Sequence, residues 1–310
     1  MAHEGEIWKN TGMTLFQGLS AFPITPSAPD GKVLTDDLRA LVRRLVDAGV
    51  DSVGLLGSTG TSPYLDRDQR AAAVRAGVEE AAGRVPVMVG IGALSTQEVL
   101  RLAHDAQEAG ADAVLLAPIS YVPLTEQEVY THYETVAGAL DIPLCVYNNP
   151  AYTHFTFSSK LIARLSEVPR IAAVKNPAPA GDAAVKTHLA GLRAQVTAGF
   201  SCGYAIDWLC AEAMLAGADA WYSVLSGLFP DVVVPIARAA RAGDHATARE
   251  HHARLQPLWE LLLELGSLRV VYAAANQLGI TTAQPPLPLL PLAEADRQRV
   301  ARTVETLGLA

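Results

Sequence analysis

Eight short runs of apolar, often β-branched residues alternate along the chain with segments whose apolar residues recur at helical spacing. The runs fall at about 17–24, 52–57, 86–91, 113–117, 143–148, 171–175, 195–199 and 220–225. Helical patterns fall between them, near 35–48, 66–82, 96–109, 125–139, 158–166, 181–191 and 203–216. Thr35-Asp36-Asp37 and Ser95-Thr96-Gln97-Glu98 read as capped helix starts with acidic first turns. Gly49 and Gly110 follow helix ends, where glycine is favoured.

Asp47-Ala-Gly-Val-Asp-Ser-Val and Glu108-Ala-Gly-Ala-Asp-Ala-Val nearly repeat one another, and Ala216-Gly-Ala-Asp-Ala is a third version. Each reads as a helix end feeding a buried strand, in units the size of one βα pair. Eight such units in series predict an α/β fold, a (β/α)8 TIM barrel, over an open doubly wound sheet. Beyond 228 the pattern is helical only, near 228–241, 244–264, 267–278 and 292–307, with Pro285-Pro286-Leu287-Pro288 before the last. The expectation is a barrel domain over 1–227 and a C-terminal helical region over 228–310 packed on it.

Composition narrows the function classes. Half of the 310 residues are hydrophobic and 18% are charged, enough for one large core. A net charge of −8 argues against nucleic acid and anionic membrane as partners. Cys145, Cys202 and Cys210 have no metal or redox spacing and suit a reducing, cytoplasmic setting. The N-terminal MAHEGEIWKN has no apolar signal core, and the apolar stretches near 113–124 and 258–265 are too short to span a bilayer. His104, His132, His251 and His252 fall on helical patterns, and no histidine–carboxylate cluster has metal-ligand spacing.

Candidate chemistry begins with Lys175. The chain has only five lysines against nineteen arginines. Lys175 closes the run Ile171-Ala172-Ala173-Val174 and precedes Asn176-Pro177, so it reads as the end of a buried strand. A buried ammonium ion is costly, which favours the free amine, the usual Schiff-base nucleophile. A lysine that snorkels out or pairs with a carboxylate is the plainer alternative. In a barrel, the C-terminal strand ends share one face, which carries the active site. Gly57-Ser58-Thr59-Gly60 after strand two presents N–H groups and hydroxyls to an anion, although a simple turn also explains it. Tyr147 lies one βα unit before Lys175, as a proton shuttle beside the amine or as a satisfied interior tyrosine. Gly199, at the predicted end of strand seven, makes room for a ligand or simply turns the chain. Gly90-Ile-Gly-Ala-Leu-Ser lacks the third glycine of a dinucleotide loop.

Together these residues resemble the dihydrodipicolinate synthase/N-acetylneuraminate lyase family, over roughly 15–230 and with the motifs in order. Gly57-Ser58-Thr59-Gly60 resembles its carboxylate-binding loop, Tyr147-Asn148-x-Pro150 its Tyr-Asn-x-Pro motif, and Ile171–Lys175 its Schiff-base strand. The resemblance implies a class I mechanism in which Lys175 attacks the ketone of pyruvate or another 2-oxo acid. Ser58 and Thr59 would hold the carboxylate, and Tyr147 would shuttle protons, tied to the Ser58 hydroxyl. The lysine is then the electron sink, with no metal or organic cofactor. A homotetramer or homodimer is implied by the same likeness.

The chain departs from the family pattern in places. Tyr152 stands where dihydrodipicolinate synthases carry an arginine for the second substrate, which argues against a role in lysine biosynthesis. Thr61 replaces a glutamate, and Ser120 falls where the family has an inter-subunit tyrosine, with Tyr121 one place along. His154 and Tyr152 are candidates to line a second-substrate pocket, and Phe200, Ser201 and Cys202 replace the acidic groups common in sialic acid lyases. The leading expectation is a lyase or aldolase that makes or breaks a carbon–carbon bond through a Schiff base, with a 2-oxo acid and an aldehyde as partners. Two alternatives stand beside it: a hydro-lyase of a 2-keto-3-deoxy sugar acid, and a non-catalytic barrel that binds a 2-oxo acid.

Overall fold

The computed structural model describes residues 15–309; MAHEGEIWKN, with Lys9, lies outside them. Eight parallel strands close into a ring in sequence order. They are β1 (Gly18–Ala21), β2 (Ser52–Leu55), β3 (Val87–Gly90), β4 (Ala113–Leu116), β5 (Leu144–Tyr147), β6 (Ile171–Pro177), β7 (Ser201–Ala205) and β8 (Ala220–Ser223). β8 pairs with β1, Leu19 opposite Trp221, so the sheet has no free edge. One helix follows each of the first four strands: α1 (Thr35–Asp47), α2 (Arg67–Ala81), α3 (Thr96–Glu108) and α4 (Glu126–Ala137). A short α5 (Pro150–Thr153) and α6 (Ser159–Ser166) follow β5. The ring of helices continues with α7 (Asp182–Arg193), α8 (Asp207–Leu215) and α9 (Pro230–Arg241), which packs on α8 and β1. Four more helices complete the chain: α10 (His245–Arg254), α11 (Gln256–Leu265), α12 (Ser267–Gln277) and α13 (Glu294–Thr306). The predicted (β/α)8 barrel with C-terminal helices is the fold.

Two cores result from strand alternation. Outward residues meet the helices; α1, for example, buries Leu38, Leu41, Val42 and Leu45 at helical spacing. Each fully buried leucine is worth about 1.5–3 kcal/mol relative to exposure. Inward residues form a smaller cluster that includes Phe22, Met88, Leu115, Cys145 and Tyr222. Cys145, Cys202 and Cys210 are all buried as free thiols.

The three near-repeats perform one task. Asp51 Oδ2 accepts from Leu19 N, Asp112 Oδ2 from Val87 N and Asp219 Oδ2 from Cys202 N, each at 2.8 Å. Each carboxylate stands just before its own strand and satisfies an N–H near the start of the preceding one. The N-terminal end of the barrel is thereby pinned at three of its eight strand pairs.

Strand seven corrects the sequence prediction: it lies at Ser201–Ala205, not at 195–199. The earlier segment satisfies its backbone elsewhere. Val196 N donates to Leu192 O at 3.1 Å, and Thr197 N donates to Ser166 Oγ at 3.0 Å. Helix α8 accordingly starts at Asp207 and not near 203. The helix predicted over 244–264 is two helices, with Pro257 in the first turn of α11, where its missing N–H does no harm. Among the described residues no helix is long and apolar enough to cross a membrane.

The C-terminal helices reach the end of the barrel where the strands terminate. Tyr272 of α12 donates its hydroxyl to Thr25 O at 3.3 Å, just beyond β1. Thr281 Oγ1 donates to Asp37 Oδ2 at 2.5 Å, tying the following segment to the start of α1.

Candidate active site

β6 holds Lys175 in register with Tyr147 of β5 and Gly203 of β7. Lys175 is 4% exposed and points into the barrel. Its Nζ lies 3.9 Å from the ring centroid of Phe22, 4.3 Å from that of Tyr147 and 5.7 Å from that of Tyr222. Among the described residues no carboxylate pairs with it. The amine therefore neither snorkels to solvent nor forms an ion pair. Two glycines make room for this aromatic box. A Cβ on Gly54 would lie 2.3 Å from Phe22 Cζ, and one on Gly203 would lie 2.5 Å from Tyr222 Cε2. Burial pushes the Tyr222 phenol well above its ordinary value, and its oxygen accepts from Cys145 Sγ at 3.6 Å.

Tyr147 Oη lies 3.4 Å from Ser58 Oγ and accepts from Asn149 Nδ2 at 2.9 Å. This joins the loops after β2 and β5 beside the amine. Ser58 is half-buried, and Gly57 and Thr59 are buried. The loop closes through Thr61 N, which donates to Ser58 O at 3.2 Å. Thr61 itself sits at φ +52°, a left-handed conformation costly for a β-branched residue. Arg70 holds the turn in place. Its Nε and Nη2 donate to Ser62 O at 3.0 and 2.7 Å, and its Nη1 donates to Gly92 O at 3.1 Å. Burial lowers the Arg70 pKa from its ordinary value.

The other predicted residues take varied places. Tyr152 is 70% exposed on α5, and His154 ends that helix at φ +56°, also exposed. Tyr121 is 95% exposed on the loop after β4, and the neighbouring Ser120 Oγ donates to Val122 O at 2.6 Å. Gly199 is a correction: it stands exposed at φ +84° in the turn before β7, at the barrel end opposite Lys175. The strand-seven glycine that shapes the site is Gly203. Sequence reasoning also missed Phe22, Tyr222, Asn149 and Arg70. Strand parity carried a signal for the first two, since both share the inward face with Lys175. Among the described residues no group of three or more His, Cys, Asp or Glu is placed to hold a metal ion.

A buried, unpaired amine at the catalytic end of such a barrel defines a class of enzyme, the one that captures carbonyl substrates on lysine. Comparison with known proteins narrows the class. Residues 15–307 match the Dihydrodipicolinate synthetase family, and the chain belongs to it. A 4-hydroxy-tetrahydrodipicolinate synthase from Methylococcus capsulatus is 35% identical over 297 residues, which is 95% of this chain and 100% of the relative. The solved dihydrodipicolinate synthase from Agrobacterium tumefaciens matches with a TM-score of 0.92 at 51% identity, covering 94% of this chain and 98% of that one. The chloride-inhibited dihydrodipicolinate synthase from Acinetobacter baumannii, complexed with pyruvate, gives 0.88 at 29% identity, covering 96% and 100%. This chain is a Schiff-base lyase or aldolase of that family, acting on pyruvate or a related 2-oxo acid.

Proposed function

We propose that Lys175 is the nucleophile of a class I cycle. Its amine adds to the ketone carbon of the 2-oxo acid, and the carbinolamine loses water to give an imine. A proton then leaves the adjacent carbon, and the resulting enamine attacks the carbonyl carbon of an aldehyde. Water hydrolyses the product imine and frees the amine. Cleavage runs the same steps in reverse. Tyr147, in contact with Ser58, gives and takes the protons of the carbinolamine steps. Gly57, Ser58 and Thr59 hold the substrate carboxylate, chiefly through backbone N–H groups. Tyr152 and His154 line the approach of the second substrate.

One observation carries this reading: the Lys175 amine is buried without a carboxylate and faces the Tyr147 ring at 4.3 Å. Nothing in the site singles out the hydro-lyase or the non-catalytic alternative. Sodium borohydride reduces an imine to a stable adduct, which peptide mass mapping locates. Treatment with pyruvate and borohydride is expected to place a pyruvyl adduct on Lys175. An unmodified Lys175 in folded, pyruvate-saturated protein would sink the proposal.

The same reading includes a homodimer or homotetramer in the cytoplasm. Leu94, Tyr121 and Val122 are 71%, 95% and 60% exposed on the loops after β3 and β4, an apolar rim suited to a second copy. Sedimentation equilibrium is expected to show at least a dimer; a monomer at micromolar concentration would refute the assembly.

A further inference from the structure

Two asparagines follow Tyr147, and they have different partners. Asn148 is buried and faces the next strand. Its N donates to Lys175 O at 3.0 Å, and its Nδ2 donates to Asn176 Oδ1 at 3.0 Å. It fastens the end of β5 to β6 beside Tyr147 and Lys175. Asn149 turns back instead, and its Nδ2 donates to the Tyr147 hydroxyl oxygen at 2.9 Å.

The fold makes no use of that side chain. Asn149 is the N-cap of α5, where an asparagine ordinarily offers its side-chain oxygen to the N–H groups of the first turn. No such bond forms here. The main chain serves the helix in its place: Asn149 O accepts from Tyr152 N at 3.1 Å, from Thr153 N at 3.0 Å and from Thr153 Oγ1 at 3.0 Å. The residue is thus held by its carbonyl, and its amide is directed at the phenol. A phenol has one proton to donate and lone pairs to accept with, whereas an amide NH2 only donates. Asn149 therefore occupies the Tyr147 oxygen and leaves its proton free for another acceptor. Ser58 Oγ, at 3.4 Å, is the other described hydrogen-bond partner of that hydroxyl.

We propose that Asn149 is a positioning residue for the imine-forming steps: its N–H anchors the Tyr147 oxygen and reserves the phenolic proton for Ser58 and the substrate. As the carbinolamine hydroxyl leaves as water it takes that proton, and an iminium ion and a phenolate remain. The Asn149 N–H stays on the oxygen through the exchange and holds it in place to take a proton back. This rests on the reading of Tyr147 as the proton carrier beside Lys175, and the test separates the two.

The protein is mixed with saturating pyruvate at neutral pH, borohydride is added at increasing times, and the pyruvyl adduct is followed by mass. Asn149→Leu removes the donor, and Asn149→Asp keeps the shape but offers the phenol only acceptors. Loss of a hydrogen bond to a group that becomes charged slows imine formation by about 10- to 100-fold in both variants, with the half-saturating pyruvate concentration little changed. In a Tyr147→Phe background, where the hydroxyl is gone, Asn149→Leu slows the reaction no further. A wild-type rate in either single variant, or an equal slowing by Asn149→Leu with and without the Tyr147 hydroxyl, overturns the assignment of Asn149. A wild-type rate in Tyr147→Phe alone instead removes Tyr147 from proton transfer and this inference with it. Absence of any adduct in the wild-type protein overturns the Lys175 reading itself. Thermal unfolding of each variant confirms that the rates are read on folded protein.

Discussion

The two ends of the barrel are built on opposite plans. At the N-terminal end a single device recurs, with Asp51, Asp112 and Asp219 each accepting the N–H of a neighbouring strand at 2.8 Å. At the C-terminal end nothing recurs. Ser58 follows β2, Tyr147 closes β5 and Lys175 lies on β6, a hydroxyl, a phenol and an amine. Pinning adjacent strands is a local problem, so one solution can be copied from unit to unit. Capturing a carbonyl needs an amine, a proton carrier and an anion cradle at one point, so each strand must bring something else. Stability and chemistry are separated by the length of the strands.

Substitutions at the two ends test that separation. The largest effect is expected from Lys175→Ala, which removes the proposed nucleophile. Turnover and borohydride adduct should vanish while the melting temperature stays within a few degrees of wild type; retained turnover would contradict the mechanism. Tyr147→Phe keeps the ring against the amine and deletes only the hydroxyl. A fall of about 10²–10⁴-fold in kcat is expected if that group is a general acid and base. An unaltered kcat would reduce Tyr147 to packing.

Asp219→Ala acts at the other end. It strips the acceptor from Cys202 N and the partner from Arg193 Nη2, which donates to Asp219 Oδ1 at 2.9 Å. A loss of about 1–3 kcal/mol in urea unfolding is expected, with kcat of the folded enzyme unchanged. A large fall in kcat at full stability would show that the two ends are not independent. The smallest effect concerns pH. Burial raises the Asp112 carboxyl, and the hydrogen bond from Val87 N opposes this. The folded chain thus keeps this proton to a higher pH than the unfolded chain does. Its contribution to stability is greatest below the unfolded value and declines as pH rises through the folded one. Asp112→Asn keeps an acceptor for Val87 N and removes the titration. The variant should gain on wild type in melting temperature across the weakly acidic range, and a parallel pair of curves would refute this.

What the sequence revealed follows the same divide. The barrel was legible because the βα unit repeats, and α1, predicted at 35–48, spans Thr35–Asp47. Strand β7 was hidden because Ser201–Ala205 has no β-branched residue, while Val196-Thr197 places two together just past a helix end. Lys175, Tyr147 and Ser58 were legible because polar groups at apolar strand ends stand out. Phe22 and Tyr222 did not stand out, since an aromatic residue in an apolar run looks like core until strand register turns it inward.

The buried thiols carry a consequence of their own. Burial pushes Cys145 and Cys202 up to about 12, and raises Cys210 well above the ordinary thiol value. At neutral pH only about one in 10⁵ of the first two would be thiolate, even if a reagent reached them. Two lie in the strand ladder and one in α8, so each becomes reactive only when its part of the wall comes apart. The molecule therefore carries an unfolding clock, in which the pace of thiol labelling counts the openings of a structure with no seam.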